Sequence, residues 1–404
     1  MKVLLLGVGA VGEAIAKVAR GRLWLEKMVL ADSRPERLEA VQKKLGNPRR
    51  FPIAVLNASD TKAITQLAVE HDVDLIMNAV TPYLNTRIMD AALRAGVMYM
   101  DMAMTPTKPH PTEPFKKVGR PLGEAQFKDH RQWKKKGLLA MIGMGMDPGV
   151  SGVFAKYAEK HLFDRVDEIH VKDGGNLTIE GYAFAPTFSI WTTIEECLNP
   201  PVVYTARKGH FTKEPFSDPE LFDFPDGIGP QKLVNVEHEE LVTFPHHIKG
   251  IKKVSFKLGL GDQFMDVLKM LHLIGLDSVL PVRVGDIEVS PRDVVAAVTP
   301  NPATLADKMT GKACVGLLIK GRHNRKPREI FLYQTTDSAD SRKKYGLQAV
   351  ALQTAVGPVI AMDLLNSGAW KGAGVLPPEA FDPDPFMALM ETYQFTYGIE
   401  ERGA

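Results

Sequence analysis

Three glycines near the N-terminus have the spacing of a phosphate-binding turn. Gly7, Gly9 and Gly12 form the pattern G-x-G-x-x-G directly after the apolar run KVLLL and before a stretch with helical periodicity. In such a turn the glycines allow a tight bend, close approach of the backbone to a pyrophosphate, and close packing of helix on strand. The first turn of the helix also presents free N–H groups and the positive end of its dipole to phosphates. The spacing therefore predicts a dinucleotide-binding turn.

A carboxylate follows where a dinucleotide ribose would lie. Asp32 ends the next apolar run, KMVLAD, twenty residues after Gly12, and a carboxylate there can accept hydrogen bonds from ribose hydroxyls. Asp32 would repel a 2′-phosphate and so favours NAD, whereas Arg34 could turn to meet that phosphate and leaves NADP open. The predicted NAD or NADP site consists of Gly7, Gly9, Ala10, Val11, Gly12, Asp32, Ser33 and Arg34.

Two later apolar runs end in small and polar residues, in the segments NAVTP and MYMDMA. The carboxyl ends of parallel strands form the ligand crevice of open α/β sheets. We therefore expect Asn78, Ala79, Thr81, Asp101 and Met102 near the cofactor or the substrate. For Asp101 the alternative interpretation is a cap of a helix or loop.

A second glycine-rich turn, GMGMDPG at residues 143–149, also joins an apolar run to a helical pattern. It lacks an acidic residue at the end of a following strand, so a second nucleotide site is disfavoured. We interpret the segment as the hinge where the chain leaves the nucleotide domain. Asp147, Pro148 and Gly149 would then line a cleft that faces the nicotinamide, with Ser151 as a helix cap.

Two residues are candidates for proton transfer. The alternation in VEHEEL predicts a strand that places His238 on one face and the neighbouring glutamates on the other. A histidine on the inner face could titrate near neutral pH, although a histidine that is hydrogen-bonded in the core is an equal alternative. Asp173 precedes two glycines that would allow close approach to a ligand, but a tight Asp-Gly-Gly turn is the alternative. Asp147 in the hinge is a third catalytic candidate.

The segment FAPTFSIWTT supplies an aromatic ring and hydroxyl groups that could shape a small polar pocket. We place Thr187, Ser189 and Trp191 at the substrate, together with Pro148 and Gly149 of the hinge. An arginine could clamp a substrate carboxylate, and the sequence leaves three alternatives open: Arg207, Arg283 and Arg292.

The remaining histidines and the cysteines have structural interpretations. His272 lies on an apolar helical face and is predicted to be in the core, and His246 and His247 are predicted in a surface loop. Cys197 and Cys314 lack a partner base, which disfavours a thiol nucleophile. Because the cysteines also lack metal-ligand spacing, the sequence predicts no metal and favours a reducing, cytoplasmic location.

The elements that position these residues alternate between strand and helix over the first part of the chain. This alternation predicts a Rossmann-type, doubly wound parallel sheet over residues 1–145, with a proline-rich loop at 105–125 over the site. Strand-like alternation after residue 165 predicts a second, α+β domain over 146–345 for substrate and dimerisation. A long apolar helix with a glycine-proline break would begin the third segment, 346–404, whose helices return to the first domain.

Composition narrows the class of protein. The chain has 404 residues, of which 45% are hydrophobic and 24% charged, as in ordinary globular enzymes. The net charge of +2 gives no general attraction for nucleic acid, and the short basic runs lack interleaved aromatic residues. No apolar run approaches the roughly 18–20 residues of a membrane span, and the N-terminus resembles a buried strand more than a signal peptide. We therefore predict neither a nucleic-acid nor a membrane partner.

Taken in order, several segments resemble the saccharopine dehydrogenase family, in its carboxynorspermidine dehydrogenase-like and lysine dehydrogenase-like branch. They are GVGAVG, NAVTP, YMDMA, GMGMDPGVS, DGGN with EGYAFAPTFS, VEHEEL and AFDPDPFMALM. The resemblance covers nearly the whole chain. It implies a Rossmann domain, a second domain for substrate and homodimer contacts, and reversible oxidation at a carbon–nitrogen bond.

Three functions are compatible with these residues. The first is an NAD(P)-dependent oxidoreductase that transfers a hydride between nicotinamide and the C–N carbon of an amino acid or opine-like secondary amine. The second is a lysine-type dehydrogenase that deaminates a primary amine. The third is a dinucleotide-binding regulatory protein without catalysis, because a fold alone does not prove an activity.

Overall fold

The computed structural model describes residues 1–403. Its N-terminal part alternates strands and helices, as the sequence predicts. The strands are β1 (Lys2–Leu6), β2 (Lys27–Asp32), β3 (Ile53–Val55), β4 (Leu75–Asn78), β5 (Met98–Asp101) and β6 (Leu139–Met141). The helices are α1 (Ala10–Arg20), α2 (Pro35–Leu45), α3 (Thr61–Glu70), α4 (Asn85–Ala95), α5 (Glu124–Phe127) and α6 (His130–Lys135).

The middle of the chain is richer in strands. These are β7 (Arg165–Gly175), β8 (Thr178–Ile179), β9 (Val202–Thr205), β10 (Gly209–Thr212), β11 (Glu220–Phe224), β12 (Gly229–Asn235), β13 (Lys253–Leu258), β14 (Val282–Val284), β15 (Ile287–Val289), β16 (Met309–Thr310), β17 (Lys312–His323) and β18 (Lys326–Asp337). The helices are α7 (Val150–Tyr157), α8 (Ile190–Leu198), α9 (Glu240–His247), α10 (Asp262–Leu273), α11 (Pro291–Val298) and α12 (Ser338–Tyr345).

The C-terminal segment contains helices α13 (Ala349–Ser367) and α14 (Asp384–Thr392) and strands β19 (Gly374–Leu376) and β20 (Tyr397–Gly403). The expected break at Gly357-Pro358 is absent, because α13 runs through both residues. The 19 residues of α13 have a hydropathy of 1.4, so the expectation that no apolar stretch reaches membrane-span length is wrong for this helix. Since 13 of its 19 residues are buried, α13 has the character of a core helix.

The first sheet has seven strands in the order β19-β6-β5-β4-β1-β2-β3, and all its pairings are parallel. Side chains of β1 alternate between two cores: Val3 and Leu5 pack with Ile15 of α1, whereas Leu4 and Leu6 pack with the α3–α4 layer. Helices therefore cover both faces, which confirms the doubly wound fold. The sheet also extends beyond the predicted range 1–145, because β19 of the C-terminal segment pairs with the outer edge of β6.

The second sheet has nine strands. Its main path is β10-β9-β13-β7-β17-β18-β20, and β12 and β11 extend it from β13. Only β13 and β7 pair in parallel; the other neighbours are antiparallel. This mixed sheet confirms the predicted α+β character of the second region. The C-terminal segment contributes one strand to each sheet, β19 to the first and β20 to the second.

Candidate active site

The first glycine turn joins β1 to α1 where the order of the first sheet reverses. Gly7 has a φ of +88°, and a Cβ on Gly12 would lie 1.9 Å from the carbonyl oxygen of Gly7. A Cβ on Gly9 would meet open space, and α1 begins at Ala10 without a side-chain cap from any described residue. Free N–H groups at an open helix start suit a pyrophosphate, so the turn fits a dinucleotide.

Asp32 is fixed at the end of β2 by its neighbours. Its Oδ2 accepts a hydrogen bond from the backbone N–H of Val8 at 3.0 Å, and its Oδ1 accepts from the N–H and Nε of Arg34, each at 3.1 Å. Burial would raise the pKa of Asp32, but the hydrogen bonds from Arg34 and Val8 outweigh it and lower the pKa. Asp32 is thus a charged carboxylate beside the turn, with the half-exposed Arg34 folded over it and Ser33 exposed beyond.

The ends of β4 and β5 carry a buried hydrogen-bond network. Asn78 donates to Asn85 at 2.8 Å and to the Tyr99 hydroxyl at 2.9 Å, and Tyr99 donates to Asp101 at 2.8 Å. Asp101 also accepts from Gln126 and from the N–H of Gly143, each at 2.7 Å. Burial raises the pKa of Asp101 to about 7. Asp101 therefore connects the end of β5 to the second glycine turn through its hydrogen bond with Gly143. This role is close to the alternative interpretation of Asp101 as a loop cap.

The second glycine turn is held by its own backbone. The N–H of Gly145 donates to the carbonyl of Pro148 at 2.7 Å, and the peptide bond between Asp147 and Pro148 is cis. Gly149 has a φ of +133°, and a Cβ there would lie 2.3 Å from the carbonyl oxygen of Gly145. Helix α7 starts at Val150, so Ser151 lies inside the helix and the expectation that it caps the helix is wrong. Its hydroxyl donates to Glu240 at 2.6 Å instead.

His238 lies between two carboxylates. The predicted strand over VEHEEL is wrong: β12 ends at Asn235, and residues 236–239 lead into α9. Both glutamates after His238 therefore face it, with its Nδ1 2.6 Å from Oε2 of Glu240 and 3.4 Å from Oε2 of Glu239. The imidazole also stacks on Phe256, with ring centroids 3.7 Å apart. With Nδ1 engaged by Glu240, Nε2 is the nitrogen left for a ligand in the cleft that His238 lines.

Burial alone would lower the pKa of His238, but the charges of Glu240, Glu239 and Asp147 outweigh it and hold the pKa well above its usual value. These carboxylates therefore favour the imidazolium form of His238. Its Nδ1 and oxygens of the two glutamates lie within 4.8 Å of one another, a donor set that could also hold a metal ion. A bound cation would compete with that proton, so the expectation of no metal stays a prediction.

A cleft of about 1650 Å³ joins these features. It exceeds the roughly 300–1,000 Å³ of a pocket for one small ligand, and has room for a dinucleotide and a substrate. Gly9, Ala10, Val11, Asn78, Ala79, Thr81, Asp101, Met102, Asp147, Pro148, Asp173, Thr187, Ser189, Trp191 and His238 line it. The cleft therefore brings together the ends of the first-sheet strands, the second turn and the end of β7.

The charged side chains that line this cleft are acidic, with the exception of His238. They are Asp101, Asp147, Asp173, Glu196, Asp262 and Asp293, and no lysine or arginine among residues 1–403 lines it. Burial raises the pKa of Asp173 to about 7 and that of Glu196 to about 8, and it holds the pKa of Asp147 well above its usual value. An Oδ2 of Asp147 is buried without a hydrogen-bond partner. Such a lining favours a cationic ligand.

Asp173 lies near the C-terminal end of β7, not in the tight turn of its alternative interpretation, because the strand continues to Gly175. Its side chain makes no hydrogen bond within residues 1–403 and lines the cleft. The segment before α8 faces the same space, where Ser189 caps the helix by accepting from the N–H of Thr192. Trp191 donates to Asp293 at 2.9 Å and contacts Tyr83 edge-on, with centroids 4.7 Å apart.

None of the three candidate arginines is itself part of the cleft lining. Arg283 is exposed on β14, and Arg207 is exposed in the turn between β9 and β10. Arg292 lies just behind the lining, where it pairs with Glu195 and its guanidinium stacks over the Trp191 ring at 4.7 Å from the centroid.

Several structural interpretations also need correction. His272 is not in the core: its side chain is exposed and pairs with Asp277 at 2.6 Å. His246 and His247 lie in the last turn of α9, not in a loop. Cys197 and Cys314 are both buried, and burial raises the pKa of each thiol, which disfavours a thiolate nucleophile.

Sequence reasoning missed a set of acidic residues and their aromatic neighbours: Tyr83, Glu196, Glu237, Glu239, Glu240 and Phe256. The signal was the repeated Glu-Glu in TIEEC and HEEL. Acidic pairs are ordinarily solvated, and here they are turned inward by α8 and by the start of α9.

The fold and this cleft define a dinucleotide-dependent dehydrogenase. Family models agree: a saccharopine dehydrogenase NADP binding domain matches residues 3–141, and a saccharopine dehydrogenase C-terminal domain matches residues 145–395. The chain belongs to the saccharopine dehydrogenase family. It is an NAD(P)-dependent oxidoreductase that acts on an amine C–N bond, as the sequence predicted.

Two relatives match this chain over nearly their whole length, at similar sequence identity. A carboxynorspermidine synthase from Vibrio cholerae is 30% identical, covering 99% of this chain and 97% of its own. A carboxyaminopropylagmatine dehydrogenase from Synechocystis is 29% identical, covering 96% of this chain and 95% of its own. The saccharopine dehydrogenase (L-Glu forming) structure from Saccharomyces cerevisiae superposes with a TM-score of 0.67 at 14% identity over 100% of both chains, and supports the fold.

Proposed function

We propose that this chain catalyses reversible reduction of the imine formed between an aldehyde and a polyamine-type amine, and thereby makes or cleaves a carboxylated secondary amine. In the reductive direction the amine condenses with the aldehyde, water leaves, and the protonated imine accepts a hydride at carbon. The observation that carries this proposal is the acidic cleft, which adjoins the dinucleotide turn and lacks lysine and arginine in the described chain. Such a lining suits a substrate with several cationic nitrogens, as the names of the relatives also suggest.

Asp173 is the proposed proton-transfer group. With a pKa raised to about 7 by burial, it is close to half-protonated at neutral pH and can serve as acid or base. His238 is kept cationic by Glu240 and Glu239, and its Nε2 can donate to the substrate. Asp147, with one oxygen unpartnered, is proposed to orient the reacting nitrogen. A bound nicotinamide supplies or accepts the hydride.

We propose NAD as the preferred cofactor. Asp32 is charged and lies at the end of β2, where it favours ribose hydroxyls over a 2′-phosphate. Arg34 would have to leave Asp32 to reach such a phosphate.

We also propose a homodimer in a reducing, cytoplasmic compartment. Exposed apolar side chains cluster between α10 and α11, including Leu273, Leu280, Ile287 and Val298. Several large apolar side chains exposed in one stretch of the chain indicate an interface. The sequence analysis placed the dimer contact in the second domain, and these residues belong to that region, in α10, in β15, in α11 and in the segment between α10 and β14. The two free, buried cysteines fit a reducing compartment.

A substrate panel tests the function. Purified protein with NAD or NADP is followed by the absorbance of the reduced nicotinamide while it is offered lysine, ornithine, saccharopine or carboxylated polyamines, and, in reverse, aldehydes with amines. Turnover of a carboxylated secondary amine supports the proposal, and turnover of lysine alone would replace it with the deaminating reaction. Dinucleotide binding by calorimetry without turnover of any amine would favour the regulatory alternative.

A further inference from the structure

A small acidic cavity adjoins the main cleft. It measures about 20 Å³, and it shares Pro82, Tyr83, Ala103, Trp191, Thr192 and Glu196 with the cleft lining. Its other lining residues are Met104, Pro106, Leu122, Glu195, Glu237 and Glu239. Four carboxylates thus surround a space that holds about one water-sized group.

Two of these carboxylates have a cationic partner and two do not. Glu195 pairs with Arg292, and Glu239 faces His238 at 3.4 Å while accepting from the N–H of Met104 at 2.9 Å. Glu196 and Glu237 form no ion pair with a lysine, arginine or histidine of the described chain. Burial keeps these two unpaired carboxyls partly protonated, and a bound cation would stabilise their charged form.

Glu237 gives the second, independent indication of a ligand. Its side chain is 3% exposed, and although Oε2 accepts from Asn199 at 3.2 Å, Oε1 is buried without a hydrogen-bond partner. The Thr107 hydroxyl lies close enough to lower the pKa of Glu237, but neither it nor Oε1 of Glu237 has a hydrogen bond of good geometry. An unpaired buried acceptor costs about 1–3 kcal/mol and needs an explanation. A cationic donor in the cavity would supply the missing hydrogen bond.

The walls of the cavity also suit an alkylammonium group. Tyr83 and Trp191 line both the cavity and the main cleft and meet edge-on, with ring centroids 4.7 Å apart. Aromatic rings attract a cation and pack against the methylene groups that precede it. The wall that the two spaces share therefore combines aromatic rings with acidic groups, and the Trp191 ring already has the Arg292 guanidinium over it at 4.7 Å.

We propose that this cavity binds the terminal ammonium group of the amine substrate, and that its size admits an ammonium but excludes a guanidinium. The proposal rests on the proposed function, since it names the substrate class of that same cleft. An ammonium has one heavy atom beyond its carbon stem and fits about 20 Å³, whereas a planar guanidinium has four. The chain is thereby assigned to diamine-derived substrates, in preference to agmatine-derived ones.

The test compares amines of matched length in the reductive direction with a common aldehyde. The set is 1,4-diaminobutane, butylamine, which lacks the distal ammonium, and agmatine, which replaces it with a guanidinium. We expect kcat/KM for the diamine to exceed the values for butylamine and agmatine by at least 30-fold each. This is the order of effect of a buried charge pair.

Two variants locate the effect in the cavity. Glu237→Gln should lower kcat/KM for the diamine by 10-fold or more and leave that for butylamine within 2-fold. Glu379→Gln is the matched control, because Glu379 is also 3% exposed with one unpaired oxygen, and burial raises the pKa of both glutamates to about 7. Glu379 does not line either cavity, so the control should keep the preference for the diamine. Leu122→Ala, which widens the cavity, should increase the use of agmatine.

The outcomes separate the subsite from the function. Equal turnover of diamine and butylamine, or loss of preference in Glu379→Gln as well, would overturn the subsite while leaving imine reduction intact. Agmatine used as well as the diamine would overturn the size limit. Failure to turn over any amine, despite dinucleotide binding by calorimetry, would overturn the proposed function and the subsite with it.

Discussion

At the scale of single residues, the cleft depends on carboxylates that burial keeps partly protonated. Asp173 has a pKa raised to about 7, so its acid form is lost as the pH rises through that value. We predict that the reductive rate falls with rising pH near 7 and that the oxidative rate rises. Asp173→Asn should lower kcat by about 10²–10⁴-fold in both directions and remove this limb of the pH profile. Initial rates between pH 5.5 and 9 check this, and a variant that keeps the limb would assign it to another group.

We predict that the choice between NAD and NADP depends on Asp32 and Arg34. If Arg34 turns from Asp32 to a 2′-phosphate, Arg34→Ala should lower kcat/KM for NADP by about 10-fold, the size of one lost charge-assisted hydrogen bond. The value for NAD should change by less than 3-fold. Ser33→Ala, an exposed neighbour, is the control. An equal loss with both cofactors would mean that Arg34 serves only to hold Asp32.

At the scale of elements, the glycine turn offers a matched pair of substitutions. A Cβ on Gly12 would lie 1.9 Å from the carbonyl oxygen of Gly7, whereas a Cβ on Gly9 meets open space. We predict that Gly12→Ala destabilises the protein by about 1–3 kcal/mol through overpacking. Gly9→Ala should cost about 1 kcal/mol or less and still abolish dinucleotide binding, because the methyl group fills the space meant for the pyrophosphate. Thermal unfolding and calorimetric titration measure both, and unimpaired binding by Gly9→Ala would contradict the assignment.

The elements also show where a sequence is informative. Gly7, Gly12 and Asp32 were predictable because each has a local stereochemical reason. The conformation of the segment after Asn235 was not predictable, because its alternating residues are typical of a strand. In the structure the segment is a turn that leads into α9, and tertiary packing buries four consecutive polar residues there. The partners of those residues are far away in the chain: Ser151 of α7, Asn199 just after α8, and Phe256 of β13. Propensity alone does not specify such long-range pairing.

At the scale of the whole molecule, the C-terminal segment connects the two sheets. Its strand β19 pairs with the first sheet and its strand β20 with the second, so the segment holds together the two regions that line the cleft. The sequence predicted the return to the first domain but not these two strands, because β19 is only three residues long and β20 is rich in glutamate and glycine. Short edge strands are specified by their neighbours more than by their own residues.

The exposed apolar surface between α10 and α11 leads to a prediction about assembly. Leu273 and Leu280 are 77% and 72% exposed. We predict that the double substitution Leu273→Lys and Leu280→Lys converts a dimer to a monomer, because two charges cannot be buried unpaired in an apolar interface. Light scattering measures the mass, and Leu23→Lys, at a fully exposed leucine in the first domain, is the control. A parent protein that is already monomeric would contradict the homodimer.

The central claim is that an acid-lined cleft beside a dinucleotide turn reduces the imine of a polyamine-type substrate. The most direct measurement is the oxidation of the reduced nicotinamide when the protein is given 1,4-diaminobutane or 1,3-diaminopropane with an aldehyde that carries an amino-acid group, with the product identified by mass spectrometry. We predict stoichiometric consumption of the reduced cofactor and a carboxylated secondary amine as product. Consumption only with ammonia as the nitrogen donor, or oxidation of lysine with release of ammonia, would contradict the claim.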